Sequence, residues 1–341
     1  MSDFPPIEIS DHEFGYDTPH HKHILVIKLG ALGDFIQALG PMAAIRRHHP
    51  DAEITLLTTQ PYVSLGMTCG YFDRVWTDTR PKWKDFKGWL ALRRKLREGK
   101  FERVYDLQNN DRTAFYLKLF GNTAKPEWVG AAPGASHRNN SPERTAGAAI
   151  HGHIQTLALA GINDIVIDDL RWVEGNFAHF ITQEGLKKPY VLLAPGSAPE
   201  HLEKRWPAEN YGHIARIIDG WGYQPVVIGT KHESALAERI CCIHAGTLNL
   251  TGKTALTDLV ILARYAAGAI GNDTGPMHLI APTGCPALVL FSGRSQPHRH
   301  APHGPLVKTH QVNDLNTLSV DEVEKMIGNR WLRYPGSTED E

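Results

Sequence analysis

Cysteine is scarce in this chain. Cys69, Cys241, Cys242 and Cys285 are the only four in 341 residues. They are too few and too irregular for a disulfide framework or a zinc cluster, and they fit a reducing, cytoplasmic setting. Long apolar runs are also missing. No segment reaches membrane-spanning length, so any contact with a membrane is expected to be peripheral. Charge of one sign does not dominate: 36 Lys and Arg against 37 Asp and Glu leave a net charge of −1, and no global field draws the chain to nucleic acid. Residues 1–21 lack the apolar core of a secretory signal and read as a flexible leader. Histidine, by contrast, is plentiful, with 19 residues. The densest group, His298, His300, His303 and His310, is interrupted by Pro297, Pro302 and Pro305. These prolines deny a helical i, i+4 pair of ligands and predict a polar loop rather than a metal site.

At 42% hydrophobic and 21% charged residues, the composition is that of a globular protein long enough for two domains. Short apolar runs alternate with helix-length segments. The strand candidates are 24–28, 53–58 and 103–107, then 190–194, 225–229, 268–271 and 287–291. Most are apolar throughout, as strands buried on both faces of a parallel sheet must be. Helical patterns lie between them at 34–48, 84–98, 111–120, 207–220, 231–243, 256–267 and 275–284. This alternation predicts an α/β fold with doubly wound parallel sheets. It restarts near residue 190, after a mixed polar stretch, and so divides the chain into a first domain over 22–178 and a second over 179–318. Ser319 and Glu322 form a capping-box pattern ahead of a C-terminal helix within 319–341, whose last residues fray. Pro41 predicts a kink or restart in the first helix.

Ligands in such sheets bind beyond the carboxyl ends of the strands, and four post-strand motifs stand there. The first is KLGALGDF, whose G-x-x-G-D spacing departs from the G-x-G-x-x-G of classical dinucleotide folds. Gly30 and Gly33 leave room for a ligand, and Asp34 either caps the next helix or does chemistry. The second, APGSAPEHLEKRWP, joins Ser197 and loop amides to Lys204 and Arg205, a set suited to a diphosphate. In the third, VVIGTKHE, Glu233 is placed to accept from ribose hydroxyls. The fourth, AIGNDTGPMH, sets Asp273, Thr274 and Gly275 at a helix start, an anion site, with His278 one turn further on.

Together, KLGALGD, KRWP and GNDTGPMH resemble glycosyltransferase family nine, the heptosyltransferases of the lipopolysaccharide inner core, over roughly residues 22–330. The resemblance implies a GT-B architecture, with two Rossmann-like domains facing across a cleft and a C-terminal helix packing back on the first domain. It implies an inverting transferase that needs no metal or other cofactor and that takes an ADP-heptose donor. The acceptor it implies is a lipid-linked saccharide at the cytoplasmic face of the inner membrane, so the enzyme would be cytoplasmic or peripheral to that membrane. It assigns Asp34 as general base, Lys204 to the donor phosphate and Glu233 to ribose or sugar hydroxyls. Asp273 falls to the heptose hydroxyls, and the Thr274 and Gly275 amides to phosphate. Ser197 stands where the family often has threonine, and Arg205 and His278 complete the donor set. On the acceptor side it points to Gly30, Gly33, His137 and Arg138, and the basic segment 82–97 suits either anionic head groups or acidic sugars.

The chemistry follows. A carboxylate removes the acceptor proton as the bond forms, while cations and amides meet the charge growing on the departing ADP. Two other readings of the same residues are a nucleotide-sugar-binding module without transferase activity and another GT-B enzyme such as a nucleotide-sugar epimerase.

Overall fold

A computed structural model describes residues 22–122 and 125–332. The leader over 1–21 and the tail beyond 332 lie outside the described residues. The first half runs β1 (His23–Ile27), α1 (Leu32–His48), β2 (Glu53–Thr58), α2 (Val63–Thr68), β3 (Arg74–Thr77), α3 (Phe86–Glu98) and β4 (Arg103–Asp106). It continues through α4 (Asp111–Leu119), β5 (Glu127–Gly130), β6 (His137–Arg138), α5 (Ala149–Ala158) and α6 (Phe177–Thr182). The second half runs β7 (Tyr190–Ala194), α7 (Ala208–Gly220), β8 (Gln224–Val227), α8 (Ser234–Ile243), β9 (Leu248–Asn249) and α9 (Leu256–Tyr265). It ends with β10 (Gly268–Asn272), α10 (Gly275–Ile280), β11 (Ala287–Phe291), α11 (Pro297–His300), β12 (Val307–Gln311) and α12 (Val320–Trp331).

Each half forms one six-stranded sheet, and the described pairings are all parallel. The first is ordered β3-β2-β1-β4-β5-β6 and the second β12-β11-β10-β7-β8-β9. Counted within its own half, each sheet has the same doubly wound order, 3-2-1-4-5-6. The direction of winding reverses between β1 and β4 and again between β7 and β10. Crevices open at these switch points, so the loops after those four strands are the ones the topology offers to a ligand.

The apolar strands are central and buried, as the composition of ILVIK, YVLLA and ALVLF requires. The strands that sequence patterning left out are short or polar: β3, β5, β6, β9 and β12. Helix α1 runs through Pro41 as one helix rather than restarting there. Pro41 lies on its buried face, and the Gly40 backbone meets the carbonyl of Val166 in the connecting strap. That strap ties the halves together. Arg47 Nη2 donates to the Asp164 carbonyl (2.7 Å) from α1, and Arg264 of α9 donates to the carbonyls of Leu170 and Val173.

The C-terminal helix is a correction. Among the described residues it packs on α7 of the second domain rather than on the first. Its capping box forms as expected, Ser319 Oγ accepting from the Glu322 amide and the Glu322 carboxylate from the Ser319 amide. Its apolar face, Val323 and Ile327, then enters the cluster of Trp206, Tyr211, Ile214 and Ile218. The indole of Trp206 donates to the Leu318 carbonyl (2.9 Å), which fixes the entry of the helix.

One side chain knits the ligand-facing end of the second sheet. Asn272 is fully buried. Its amide nitrogen donates to the carbonyls of Pro195 (2.7 Å) and Gly196 (3.2 Å), and its oxygen accepts from the Trp206 amide (3.1 Å) and the Tyr211 hydroxyl (3.0 Å). It joins the loops after β7 and β10 to the start of α7. Asn272→Ala leaves several buried polar groups unpaired at once. It is expected to lower the unfolding free energy by about 3 kcal/mol in urea titration; a loss under about 1 kcal/mol would show that these loops hold without it.

Candidate active site

In the loop after β1, Gly30 has φ 124°, and a Cβ there would meet the Tyr62 ring at 2.8 Å. Ala31, the residue preceding α1, offers no side-chain cap, so Asp34 enters the first helical turn without capping it. Among the described residues no hydrogen bond or ion pair engages its carboxylate. Two buried charged residues of this domain lie nearby. Lys28, 3% exposed, donates from Nζ to the Leu107 carbonyl (3.0 Å). Burial lowers its pKa, and the negative charges of Asp34 and Asp106 oppose that shift. Burial pushes the Asp106 carboxyl up to about 6. Its Oδ1 accepts from the amides of Gln108 (3.1 Å) and Asn109 (2.9 Å), which shapes the loop after β4.

The second domain faces this loop with a charge pair. Lys204 Nζ donates to Asp273 Oδ2 at 2.8 Å, and Ser295 Oγ donates to the same oxygen at 2.9 Å. Ser197 and Arg205 hold one another. Arg205 Nε donates to Ser197 Oγ (2.9 Å) and Nη2 to the Ser197 carbonyl (3.0 Å), while the serine hydroxyl donates to the His201 carbonyl (2.7 Å). Glu233 accepts from the amide (2.7 Å) and hydroxyl (3.0 Å) of Thr230 through Oε2, and its Oε1 lies against Gly196. Thr274 precedes α10, and Gly275 is its first residue.

The two domains meet helix start to helix start. A Cβ on Gly33 would strike the imidazole of His278 at 2.7 Å, and a Cβ on Gly275 would strike Leu32 at 2.9 Å. Each glycine therefore makes room for a side chain from the opposite domain. Gly30 lies against Tyr62 and Gly33 against His278, and Gly33 also lines a cavity between the domains. His278 is 8% exposed, and its Nδ1 has no hydrogen-bond partner. Burial pushes its pKa down to about 4, with His303 and His300 acting in the same direction and Asp273 and Asp34 opposing.

Two cavities open near this contact. The larger, about 890 Å³, is lined from both domains by Asp34, Ser197, Lys204, Arg205, Glu233, Asp273, Thr274, Gly275 and His278. The smaller, about 240 Å³, is lined by Lys28, Asn109, Arg144, His153, Arg299 and again Asp34. Asp34 and His300 are the residues common to both.

All the expected second-domain residues thus reach one cleft with Asp34. His137 and Arg138 do not. They lie on the edge strand β6 and line neither cavity, and their polar atoms engage Ser136 Oγ and the Ala131 carbonyl. The basic groups beside Asp34 are Lys28, Arg144 and Arg299. Lys28 was not singled out from the sequence, although a cation at the end of an apolar strand candidate was a signal for it. Arg144 and His153 come from the turn before α5 and from α5 itself, where no strand-end motif marks them. Among the described residues no group of three His, Cys, Asp or Glu side chains is placed to hold a metal ion.

Residues 89–327 match the model of glycosyltransferase family 9 (heptosyltransferase). The chain belongs to that family. It is accordingly a glycosyltransferase, and its two facing domains are the GT-B architecture. Among curated relatives, this family 9 chain is 24% identical to the lipopolysaccharide core heptosyltransferase OpsX of Haemophilus influenzae. That match covers 94% of this chain and 91% of OpsX. Among solved structures it is similar to a family 9 glycosyltransferase from Veillonella parvula (TM-score 0.76, 21% identity, 90% of this chain and 96% of that one). It is also similar to E. coli ADP-heptose lipopolysaccharide heptosyltransferase II (TM-score 0.70, 18% identity, 89% and 97%).

The buried His278 predicts a pH effect on stability. Its folded pKa, about 4, lies below the unfolded value near 6.5. The unfolded chain therefore binds the extra proton first, and stability is lost as pH falls from about 6.5 towards 4. His153 and His49, lowered by burial, act in the same direction, and Asp106, raised to about 6, acts against them. Melting temperatures measured across this range should fall less steeply for His278→Asn than for the parent chain; parallel curves would contradict the assignment.

Proposed function

We propose that this enzyme transfers a heptose, or a closely related sugar, from an ADP-linked donor to an acidic, lipid-linked saccharide of the lipopolysaccharide core. Transfer inverts the anomeric carbon, uses Asp34 as general base and requires no metal. It takes place in the cytoplasm or at the cytoplasmic face of the inner membrane. The heptose and the lipopolysaccharide core come from what the relatives are named for. The carrying observation for the chemistry is the position of Asp34, an unengaged carboxylate at the junction of two cavities.

In this reading the larger cavity holds the donor. Lys204 exchanges part of its hold on Asp273 for the diphosphate, and Asp273 turns to sugar hydroxyls. The amides of Thr274 and Gly275 and the side chain of Arg205 add to the field that receives the departing ADP. Glu233, already accepting from Thr230, has Oε1 for the ribose. The smaller cavity holds the acceptor, and Lys28, Arg144 and Arg299 suit an acidic sugar or a phosphate. Asp34 takes the hydroxyl proton as the oxygen attacks the anomeric carbon from the face opposite the diphosphate.

Asp34→Asn is expected to lower kcat by about 10²- to 10⁴-fold and to leave the Kd for the ADP-sugar within about twofold, read by coupled ADP release and by calorimetry. Turnover within tenfold of the parent chain would remove Asp34 as base. Lys204→Ala should raise the Kd for ADP about tenfold or more, as loss of a charge-assisted contact does; an unchanged Kd would remove its phosphate role. Saturable ADP-sugar binding with no transfer to any core acceptor would favour the non-catalytic reading.

A further inference from the structure

Helix α3 has two apolar faces, and only one of them is used. Trp89, Leu92 and Leu96 point inward, Leu92 and Leu96 being buried with Tyr116 and Phe120 and Trp89 packing against Phe115 and Tyr116. The outer side carries Phe86, 81% exposed, and Leu90, 64% exposed, and the loop before the helix carries Trp83, 82% exposed, which with Trp89 and Phe115 lines a cavity of about 500 Å³. Around them are Lys82, Lys84, Lys87, Arg93, Arg94 and Arg97, all exposed. Over residues 82–100, eight Lys and Arg face two acids, Asp85 and Glu98, a local charge of +6 on a chain whose total is −1. Both acids are engaged, Asp85 in capping the Gly88 amide and Glu98 in pairing with Arg94.

The presentation is built rather than loose. The Trp89 indole donates to the Lys82 carbonyl (3.1 Å), and Arg112 donates to the Pro81 carbonyl (3.3 Å). These bonds pin the loop that carries Trp83. This loop follows β3, so it lies at the carboxyl end of the first sheet, the end at which Asp34 and the cleft also lie. No helix among the described residues is long and apolar enough to cross a membrane.

We infer that this face docks the enzyme on an anionic lipid surface. Trp83, Phe86 and Leu90 enter the interfacial zone, and the surrounding Lys and Arg residues contact lipid phosphates. Amphipathic surfaces with aromatic and aliphatic residues on one face and Lys and Arg beside them bind membranes in this way, and indole rings favour the head-group level. A protein partner's apolar pocket accounts for the three exposed side chains but not for the cations around them, of which only Arg94 is paired with an acid, so the charge favours the lipid. The docking sets the cleft end of the first domain against the bilayer. It deepens the proposed reading of a lipid-linked acceptor without depending on turnover.

The test is co-sedimentation of the full chain with sucrose-loaded vesicles, either equimolar phosphatidylglycerol and phosphatidylcholine or phosphatidylcholine alone. Binding is expected on the anionic vesicles, at least tenfold weaker on the neutral ones, and reduced at least fivefold by 0.5 M NaCl, all by rough expectation from screened surface charge. The variant Trp83→Ser/Phe86→Ser/Leu90→Ser should lose about tenfold or more of that binding with an unchanged circular dichroism melt, since all three side chains are exposed. Lys84→Glu/Arg93→Glu/Arg97→Glu should abolish the preference for anionic lipid. No binding to anionic vesicles, or equal binding by the triple Ser variant, overturns the inference. So does a concentration-dependent dimer, lost in that variant, with no vesicle binding. ADP release with a delipidated saccharide acceptor is expected to be unchanged in both variants. Its absence in the parent chain would count against the transferase reading, while vesicle binding would be unaffected.

Discussion

The close approach of α1 and α10 across the domain boundary is the constraint on which the site depends. Two backbone positions without Cβ atoms let Leu32 and His278 cross to the opposite domain. A methyl group at Gly33 would meet the His278 ring and one at Gly275 the Leu32 side chain, so in either case a neighbour would have to shift. The proposed chemistry needs a base from one domain within reach of an anomeric carbon bound by the other, so this gap has to be small. His278 is accordingly held neutral between the domains, with burial prevailing over the attraction of Asp34 and Asp273. An imidazolium there would place a cation at the seam and alter the pairing of Lys204 with Asp273.

Behind each helix start stands a layer of buried polar side chains that fixes the loops. In the second domain Asn272 ties the loops after β7 and β10 into one unit. Asp273 then leaves a fixed point, and Lys204 meets it at 2.8 Å. In the first domain Asp106 gathers the amides after β4, and Lys28 is anchored on the Leu107 carbonyl beneath Asp34. The carboxylates of the cleft are therefore not equivalent. Asp273 is paired and Glu233 is tied to Thr230, while Asp34 is unengaged among the described residues. In the proposed reading, that asymmetry separates a base from binding groups.

Much of this was legible in the sequence, and the reasons are specific. The central strands were visible because burial on both faces leaves no polar alternation. Asp34, Lys204, Glu233 and Asp273 were visible because ligand loops follow strands, and the strands were known. The edge strands β3, β6, β9 and β12 were not visible, because short polar segments pair only in the presence of a neighbour. Arg144 and His153 escaped because helix α5, reached from an irregular segment, brings them in by tertiary packing. The neighbours of Gly30 and Gly33 were not visible for a related reason. A missing Cβ reports that something comes close, but local sequence does not say whether it is a sugar or a side chain. The destination of α12 likewise depends on Trp206 and Tyr211, more than a hundred residues earlier in the chain. The resemblance supplied its capping box with the wrong partner.

A cleft with one unengaged carboxylate supports a single displacement rather than a covalent sugar–enzyme intermediate. The anomeric configuration of the product reports on this most directly. With an ADP-heptose donor of defined anomer and a core saccharide acceptor, NMR of the isolated product should show the opposite configuration at the transferred sugar's anomeric carbon. Retention of the donor configuration would require a second displacement, and would contradict Asp34 acting as base in a one-step transfer.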